Sequence, residues 1–122
     1  MPVRALRGAI TCDADSREEI ESRTQRLVTE MLDRNGIGHD DLIFVLFTAT
    51  DDLTAMFPAA AVRAIGLGDV PLLCARELAV TGGMPRTIRV LMLFETDRAR
   101  SALRHVYLEG AHSLRDDLPG DP

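Results

Sequence analysis

An arginine inside an apolar run gives the first indication of chemistry in this sequence. Residues 88–94 read IRVLMLF, and their alternation predicts a strand on which Arg89 shares a face with Leu91 and Leu93. A guanidinium in a low dielectric is costly unless it is paired. We therefore expect Arg89 to pair either with a carboxylate of this protein or with an anionic ligand.

Four other polar residues are candidates for the same site. Arg7 lies among small residues in a predicted strand, and Glu77 precedes a turn. Arg63 projects from a short predicted helix, and Tyr107 is the single tyrosine of the chain. Local pattern alone also allows Arg7 and Arg63 to be solvent-exposed. If these residues converge, their guanidinium forks and one hydroxyl group are suited to a small polyanion.

The residue types that are missing exclude several kinds of catalysis. All fourteen basic residues are arginine, so Schiff-base chemistry and lysine-bound cofactors are excluded. The sequence has no Ser/His/Asp set, no glycine-rich phosphate loop and no spacing of histidines that suits a metal. Cys12 and Cys74 are far apart and form no CxxC pair, which is typical of a reducing compartment. We therefore expect no metal site and no lysine-bound cofactor.

Composition restricts the partners. The net charge is −5 and there is no basic cluster, which argues against nucleic acid. No apolar run approaches the roughly 20 residues of a membrane span, and no apolar signal segment follows the first residues. We expect a cytoplasmic protein with no membrane contact, folded as one α+β domain over residues 1–122.

Seven elements are predicted to position the candidate residues. They are a strand at 3–12, a helix of about five turns that starts at a Ser16–Glu19 capping box, a strand at 42–50, a short helix from Pro58, and strands at 70–74, 86–94 and 104–108. Together they predict a mixed sheet covered by one long and one short helix. Residues from about 116 to 122 are predicted to form a mobile tail.

The pattern also predicts how the strands are arranged. The strand, long helix and strand over residues 3–50 are typical of a βαβ unit. The strand at 42–50 is apolar on both faces, so we expect both faces to be covered. The turn at 81–83 predicts an antiparallel hairpin between the strands that flank it. On a regular strand Cys74 and Glu77 face opposite ways, so they can line one site only if the strand ends or bulges between them.

Seven segments, in order and in register over about residues 3–118, resemble the monofunctional AroH class of chorismate mutase. They are RALRGA at 4–9, TATDDL at 48–53, FPA at 57–59, AVR at 61–63, VTGG at 80–83, IRV at 88–90 and RHVYLE at 104–109. The resemblance implies an isomerase that converts chorismate to prephenate by a Claisen rearrangement, on the shikimate route to phenylalanine and tyrosine. It implies no cofactor, and a homotrimer with a pseudo-α/β-barrel core and sites at the subunit interfaces.

The resemblance also implies roles for individual residues. Arg89 would stabilise charge on the breaking ether oxygen, and Arg7 would bind the side-chain carboxylate. Glu77 would accept a hydrogen bond from the ring hydroxyl. Seven further residues would bind substrate or line the cleft: Tyr107, Cys74, Phe57, Ala59, Leu73, Arg63 and Arg115.

The sequence departs from the family pattern at two positions. Some members have a lysine where this chain has Ala60, and many have a threonine where it has Leu73. The first change removes a cation near the cleft.

Two alternative functions remain. One is a YjgF-type trimeric imine deaminase, but the pair of Glu77 and Tyr107 beside Arg89 argues against it. The other is a non-catalytic trimer that binds carboxylate metabolites.

Overall fold

A computed structural model describes residues 1–114 as five strands and two helices in one sheet-and-helix domain. The elements are β1 (Val3–Thr11), α1 (Arg17–Asn35), β2 (Leu42–Ala49), α2 (Pro58–Val62), β3 (Leu72–Arg76), β4 (Thr87–Glu95) and β5 (Val106–Leu108). The predicted α+β class, with a mixed sheet and one long and one short helix, is confirmed. Arg115 and the predicted tail lie outside the described residues.

Helix α1 begins where the sequence predicts, and its 19 residues make the predicted five turns or so. Ser16 Oγ accepts a hydrogen bond from the Glu19 backbone N–H at 3.2 Å, and Gly36 ends the helix with φ 63°. The second half of the predicted capping box does not form. The Glu19 carboxylate accepts instead from the backbone N–H of Asp13 at 2.8 Å, so it stabilises the turn before the helix.

The sheet has the order β3-β2-β4-β1-β5. Strand β4 pairs antiparallel with β1 and with β2, whereas the outer pairs, β1 with β5 and β2 with β3, are parallel. The βαβ unit predicted over residues 3–50 therefore differs from the simplest form, in which the two strands are neighbours. Strands β1 and β2 run parallel, but β4 lies between them.

The predicted hairpin of β3 and β4 is wrong. Ten residues, 77–86, separate these strands, and they carry the chain from the sheet edge across β2 to its centre. The reason lies in burial. Ile88, Val90, Met92 and Phe94 of β4 are buried, so β4 takes the central position, while the short β3 is largely exposed and lies at the edge.

The two helices cover one face of the sheet. Leu27 and Met31 of α1 pack against β1 at Gly8, where an added Cβ would lie 2.5 Å from Met31 Sδ. The sequence had indicated a close backbone approach or a bulge at Gly8, and the structure shows the close approach. Ala9 and Arg7 point to the opposite side, which we call the open face.

The expectation that β2 is covered on both faces is wrong for the described chain. Val45 and Phe47 are buried beneath the helices, but Phe44 and Leu46 on the open face are only half-buried. Nothing in residues 1–114 packs over that part of the sheet as the helices do on the other side. The apolar residues on the second face of β2 are thus left partly exposed in residues 1–114.

The packing at Gly8 gives a test. Gly8→Ala is expected to lower the free energy of unfolding by about 1–3 kcal/mol, because the new methyl group overpacks the contact with Met31 and Leu27. Denaturant unfolding measures it. Gly68→Ala is the control, since φ is −67° there and the nearest atom would be 4.0 Å away. Equal losses for both variants would contradict the close approach.

Candidate active site

A row of residues across the open face brings the central candidates together. In the sheet register Tyr107 of β5 lies beside Ala9 of β1, Ala9 beside Arg89 of β4, and Arg89 beside Thr48 of β2. The only side chain between the tyrosine and the arginine is a methyl group. Four strands thus place a phenol and a guanidinium on one side of the sheet.

Glu77 is the partner of Arg89 within this chain. Arg89 Nε lies 2.8 Å from Glu77 Oε2, and Thr48 Oγ1 donates a hydrogen bond to the same oxygen at 2.7 Å. The Arg89 contact is an ion pair by distance, but the Nε–H is not aligned on the oxygen as in a hydrogen bond. The two alternatives for Arg89, a protein carboxylate or a ligand, are thus not exclusive.

The Arg89–Glu77 pair is not a buried structural ion pair. The side chains are 42% and 22% exposed. The terminal nitrogens of Arg89 have no hydrogen-bond or salt-bridge partner among residues 1–114. Glu77 therefore holds the guanidinium through one edge and leaves its fork accessible on the open face.

Arg7 lies on the open face beside this row. It is opposite Leu91 in the register, two residues from Ala9, and its side chain is exposed. Its backbone N–H donates to His105 Nδ1 at 2.9 Å, so the imidazole fixes β1 at this residue while accepting at that nitrogen. The backbone of β1 is thus fixed at Arg7, whereas the Arg7 guanidinium makes no ion pair within residues 1–114.

Cys74 and Glu77 point to opposite sides of the sheet. Strand β3 ends at Arg76, and the Glu77 backbone N–H still donates to the Ala49 carbonyl at 3.0 Å. Cys74 lies beside Phe47 in the register and packs against the core. Strand parity is therefore maintained, and one chain does not bring both residues to one side.

A cavity of about 620 Å³ lies on the helix side, between the start of α1, the loop before α2 and the end of β3. We call it the α2 pocket; its lining includes Phe57, Ala60, Cys74, Arg17, Arg76 and Asp51. Phe57 is 71% exposed, which is unusual for an aromatic side chain unless it meets a ligand or partner.

The other predicted cleft residues lie elsewhere. Ala59 is buried in the core and does not line the α2 pocket, and Leu73 is 66% exposed on the open face. Arg63 is exposed at the end of α2, where a widened turn over Arg63–Leu67 begins, and Gly66 within that turn has φ 101°. The candidate residues of one chain therefore form two groups, one on the open face and one around the α2 pocket.

Sequence reasoning missed three residues. Thr48 positions Glu77, and it is the polar residue of an apolar strand, but only the register places it beside Arg89. Arg17 and Arg76 line the α2 pocket, and they look like surface arginines in the sequence. Within residues 1–114, no group of three or more His, Cys, Asp or Glu side chains could hold a metal ion.

Residues 3–118 match the sequence profile of the family described as chorismate mutase type I. The chain belongs to this family. The family assignment made from seven short segments is confirmed, and with it the enzyme class, an isomerase.

Individual relatives agree with the family assignment. The chain is 51% identical to a "Chorismate mutase AroH" of Thermus thermophilus over 95% of this chain and 96% of the relative. It is 43% identical to a "Chorismate mutase AroH" of Bacillus subtilis strain 168 over 97% and 94%. A solved chorismate mutase from Clostridium thermocellum superposes with a TM-score of 0.87 at 42% identity, covering 88% of this chain and 96% of that one. None of the helices in residues 1–114 is long and apolar enough to cross a membrane.

The exposure of the Arg89–Glu77 pair predicts a small role in stability. Glu77→Gln is expected to change the free energy of unfolding by no more than about 1 kcal/mol, as for exposed ion pairs. Met92→Ala, on the buried side of the same sheet, is the contrasting variant and should cost about 2–5 kcal/mol. Denaturant unfolding compares them. A loss for Glu77→Gln as large as that for Met92→Ala would mean that the pair is structural.

Proposed function

We propose that this protein converts chorismate to prephenate by holding the folded substrate against the guanidinium of Arg89. The observation that carries the proposal is the arrangement of Arg89, Glu77 and Tyr107 on one face of the sheet, in a chain that belongs to the chorismate mutase family. The reaction lies on the route to phenylalanine and tyrosine, and we place it in the cytoplasm.

The chemistry matches the residue types at the site. In a Claisen rearrangement one C–O bond breaks as one C–C bond forms within a single molecule, so no proton, electron or group leaves. Neither a nucleophile nor a general base is required. The protein contributes by binding the compact conformer, which removes part of the entropic barrier, and by stabilising charge that develops in the transition state.

Arg89 is placed to stabilise that charge. As the ether bond breaks, electron density accumulates on the oxygen, and a fixed cation beside it binds the transition state more tightly than the ground state. The contact of its Nε with Glu77 orients the planar group before substrate arrives. Its terminal nitrogens remain for the ether oxygen and the side-chain carboxylate.

The neighbours of Arg89 supply the remaining contacts on the open face. The exposed guanidinium of Arg7 and the hydroxyl of Tyr107 bind the side-chain carboxylate. Glu77 accepts a hydrogen bond from the ring hydroxyl. Its Oε2 already interacts with Arg89 and Thr48, whereas Oε1 accepts only a long 3.3 Å hydrogen bond from the Leu78 backbone. Oε1 is therefore the oxygen available to substrate.

A homotrimer would unite the two groups of candidate residues. The open face carries half-buried leucines, among them Leu46, Leu91 and Leu93, and packing of another subunit would bury them. If the α2 pocket of one subunit meets the open face of the next, Phe57 and Cys74 face Arg89 across the interface. Such a trimer would form the expected pseudo-barrel, with sites between subunits.

The imine deaminase alternative has no support, because the family match and the named relatives all belong to chorismate mutases. A non-catalytic binder differs in one measurable respect. Such a protein would be stabilised thermally by chorismate without consuming it.

The direct test is the loss of chorismate absorbance with formation of prephenate by the purified protein. Arg89→Lys keeps the charge but loses the planar fork, and we expect kcat to fall by about 10²–10³, the effect of removing one oxyanion donor. Arg98→Lys is the control, because Arg98 follows the far end of β4 and is exposed. Near-normal kcat for Arg89→Lys would refute its role, and no turnover by the wild-type protein would refute the activity.

A further inference from the structure

The α2 pocket is lined by two arginines, Arg17 and Arg76, and the proposed site on the open face uses neither of them. Arg76 Nε lies 3.1 Å from Asp51 Oδ1, so its charge is already paired. Arg17 makes no hydrogen bond or ion pair within residues 1–114, although it lines the same cavity. The pocket thus contains two guanidinium groups and one carboxylate among its lining side chains. It has one positive charge without a counter-ion.

The position of Arg17 is fixed by its neighbours. Asp15 accepts hydrogen bonds from the Thr54 backbone N–H at 2.8 Å, the Thr54 hydroxyl at 2.6 Å and the Ala55 backbone N–H at 3.0 Å. These bonds lower the pKa of Asp15, with the Thr54 hydroxyl as the main cause. They attach the start of α1 to the loop that enters the pocket, so the first helical residue, Arg17, is held at the pocket rim.

Helix stability does not explain an arginine at this position. A cation in the first turn of a helix opposes the helix dipole, whereas Glu18 and Glu19, which follow, favour it. Nor do those carboxylates pair with Arg17. Glu19 contacts Arg23 at 3.5 Å and the Asp13 backbone, and Glu18 makes no ion pair with Arg17. An unfavourably placed, unpaired cation beside a cavity is better explained by a ligand.

Substrate charge identifies the ligand group. Chorismate carries two carboxylates, and the open face, with Arg7, Arg89 and Tyr107, accounts for one of them. Ala60 lines the α2 pocket, and its small side chain leaves room there. The unpaired cation that lines this pocket, Arg17, is therefore available to the second carboxylate.

We propose that Arg17 binds the second carboxylate of the substrate, the one on the ring. This inference rests on the proposed function and on the packing of the α2 pocket against the open face of a neighbouring subunit. Arg17 contributes to binding in the ground state and the transition state alike, since the negative charge that develops lies on the ether oxygen and not on the ring carboxylate. It is a specificity residue for the dianion.

Steady-state kinetics of Arg17→Ala test the role. KM for chorismate is expected to rise about tenfold, the effect of one charge-assisted hydrogen bond at a partly exposed site, with kcat changed little. Arg17→Lys should recover most of the loss because the charge is restored. Arg98→Ala, an exposed arginine away from the pocket, should leave KM unchanged.

A modified substrate separates a specific contact from a general charge effect. Chorismate methylated on the ring carboxylate lacks the group that Arg17 is proposed to bind, so wild-type protein and Arg17→Ala should have equal KM values for it. Circular dichroism shows whether the variant is folded, and removing a cation from the helix start should not destabilise it. An unchanged KM of Arg17→Ala for chorismate, or an equal rise with the methyl ester, would overturn the inference. Absence of wild-type turnover would instead overturn the proposed function.

Discussion

Arg89 meets Glu77 because β2, and not β4, is the neighbour of β3. The chain leaves the sheet edge at Glu77 and enters the centre at β4, so the carboxylate reaches over Thr48 to the guanidinium. In a simple hairpin, with β4 directly beside β3, Thr48 would not lie between the two charges. The cation on the open face depends on this strand order, since it gives Arg89 a counter-ion that leaves the fork free.

The two faces of the sheet differ in how they are completed. The helix side is closed by its own chain, with Leu27 and Met31 packed on β1 and the rest of the hydrophobic core, including Phe47 and Phe94, around them. The open face has arginines and half-buried leucines with no comparable cover in residues 1–114, whereas Ala9 and Tyr107 at its edge are buried against Ala111 and Leu114. In the proposed trimer the same contact would bury the leucines and exclude water from Arg89, which strengthens its interaction with developing charge. Assembly and catalysis would then share one surface.

Most of the local structure followed from the sequence. The Ser16 cap, the alternation on β1 and the proline that starts α2 each depend on neighbours within a few residues, and all three are found. Strand pairing did not follow, because the turn at 81–83 signals a change of direction and not the identity of the partner strand. Only the relative burial of β3 and β4 decides that, and burial is a property of the whole fold.

The site was predictable in part for a similar reason. Arg89 was a candidate because a cation on an apolar strand is anomalous. Arg7 and Tyr107 were candidates by residue type and position, and only the resemblance to the family gave them expected roles. Thr48 and Arg17 carry no such signal in the sequence. A threonine near a strand end and an arginine in a first helical turn are common in surface positions. Only the fold shows that Thr48 lies beside Glu77 and that Arg17 lines a cavity.

The pairing of β1 with β5 has a consequence for synthesis on the ribosome. Gly8, Ala9 and Ile10 form their parallel ladder with residues 106–108, so the first strand is completed by the last. Tyr107 joins the row on the open face only through this ladder. A nascent chain that has released α1 and β2 therefore still lacks its phenol and the final cover of β1. Parallel pairing of residues 8–10 with residues 106–108 is slow to form, because a long loop must close first. The candidate site can therefore be complete only after residues 106–108 have been synthesised, and shorter nascent chains leave that edge of β1 unpaired.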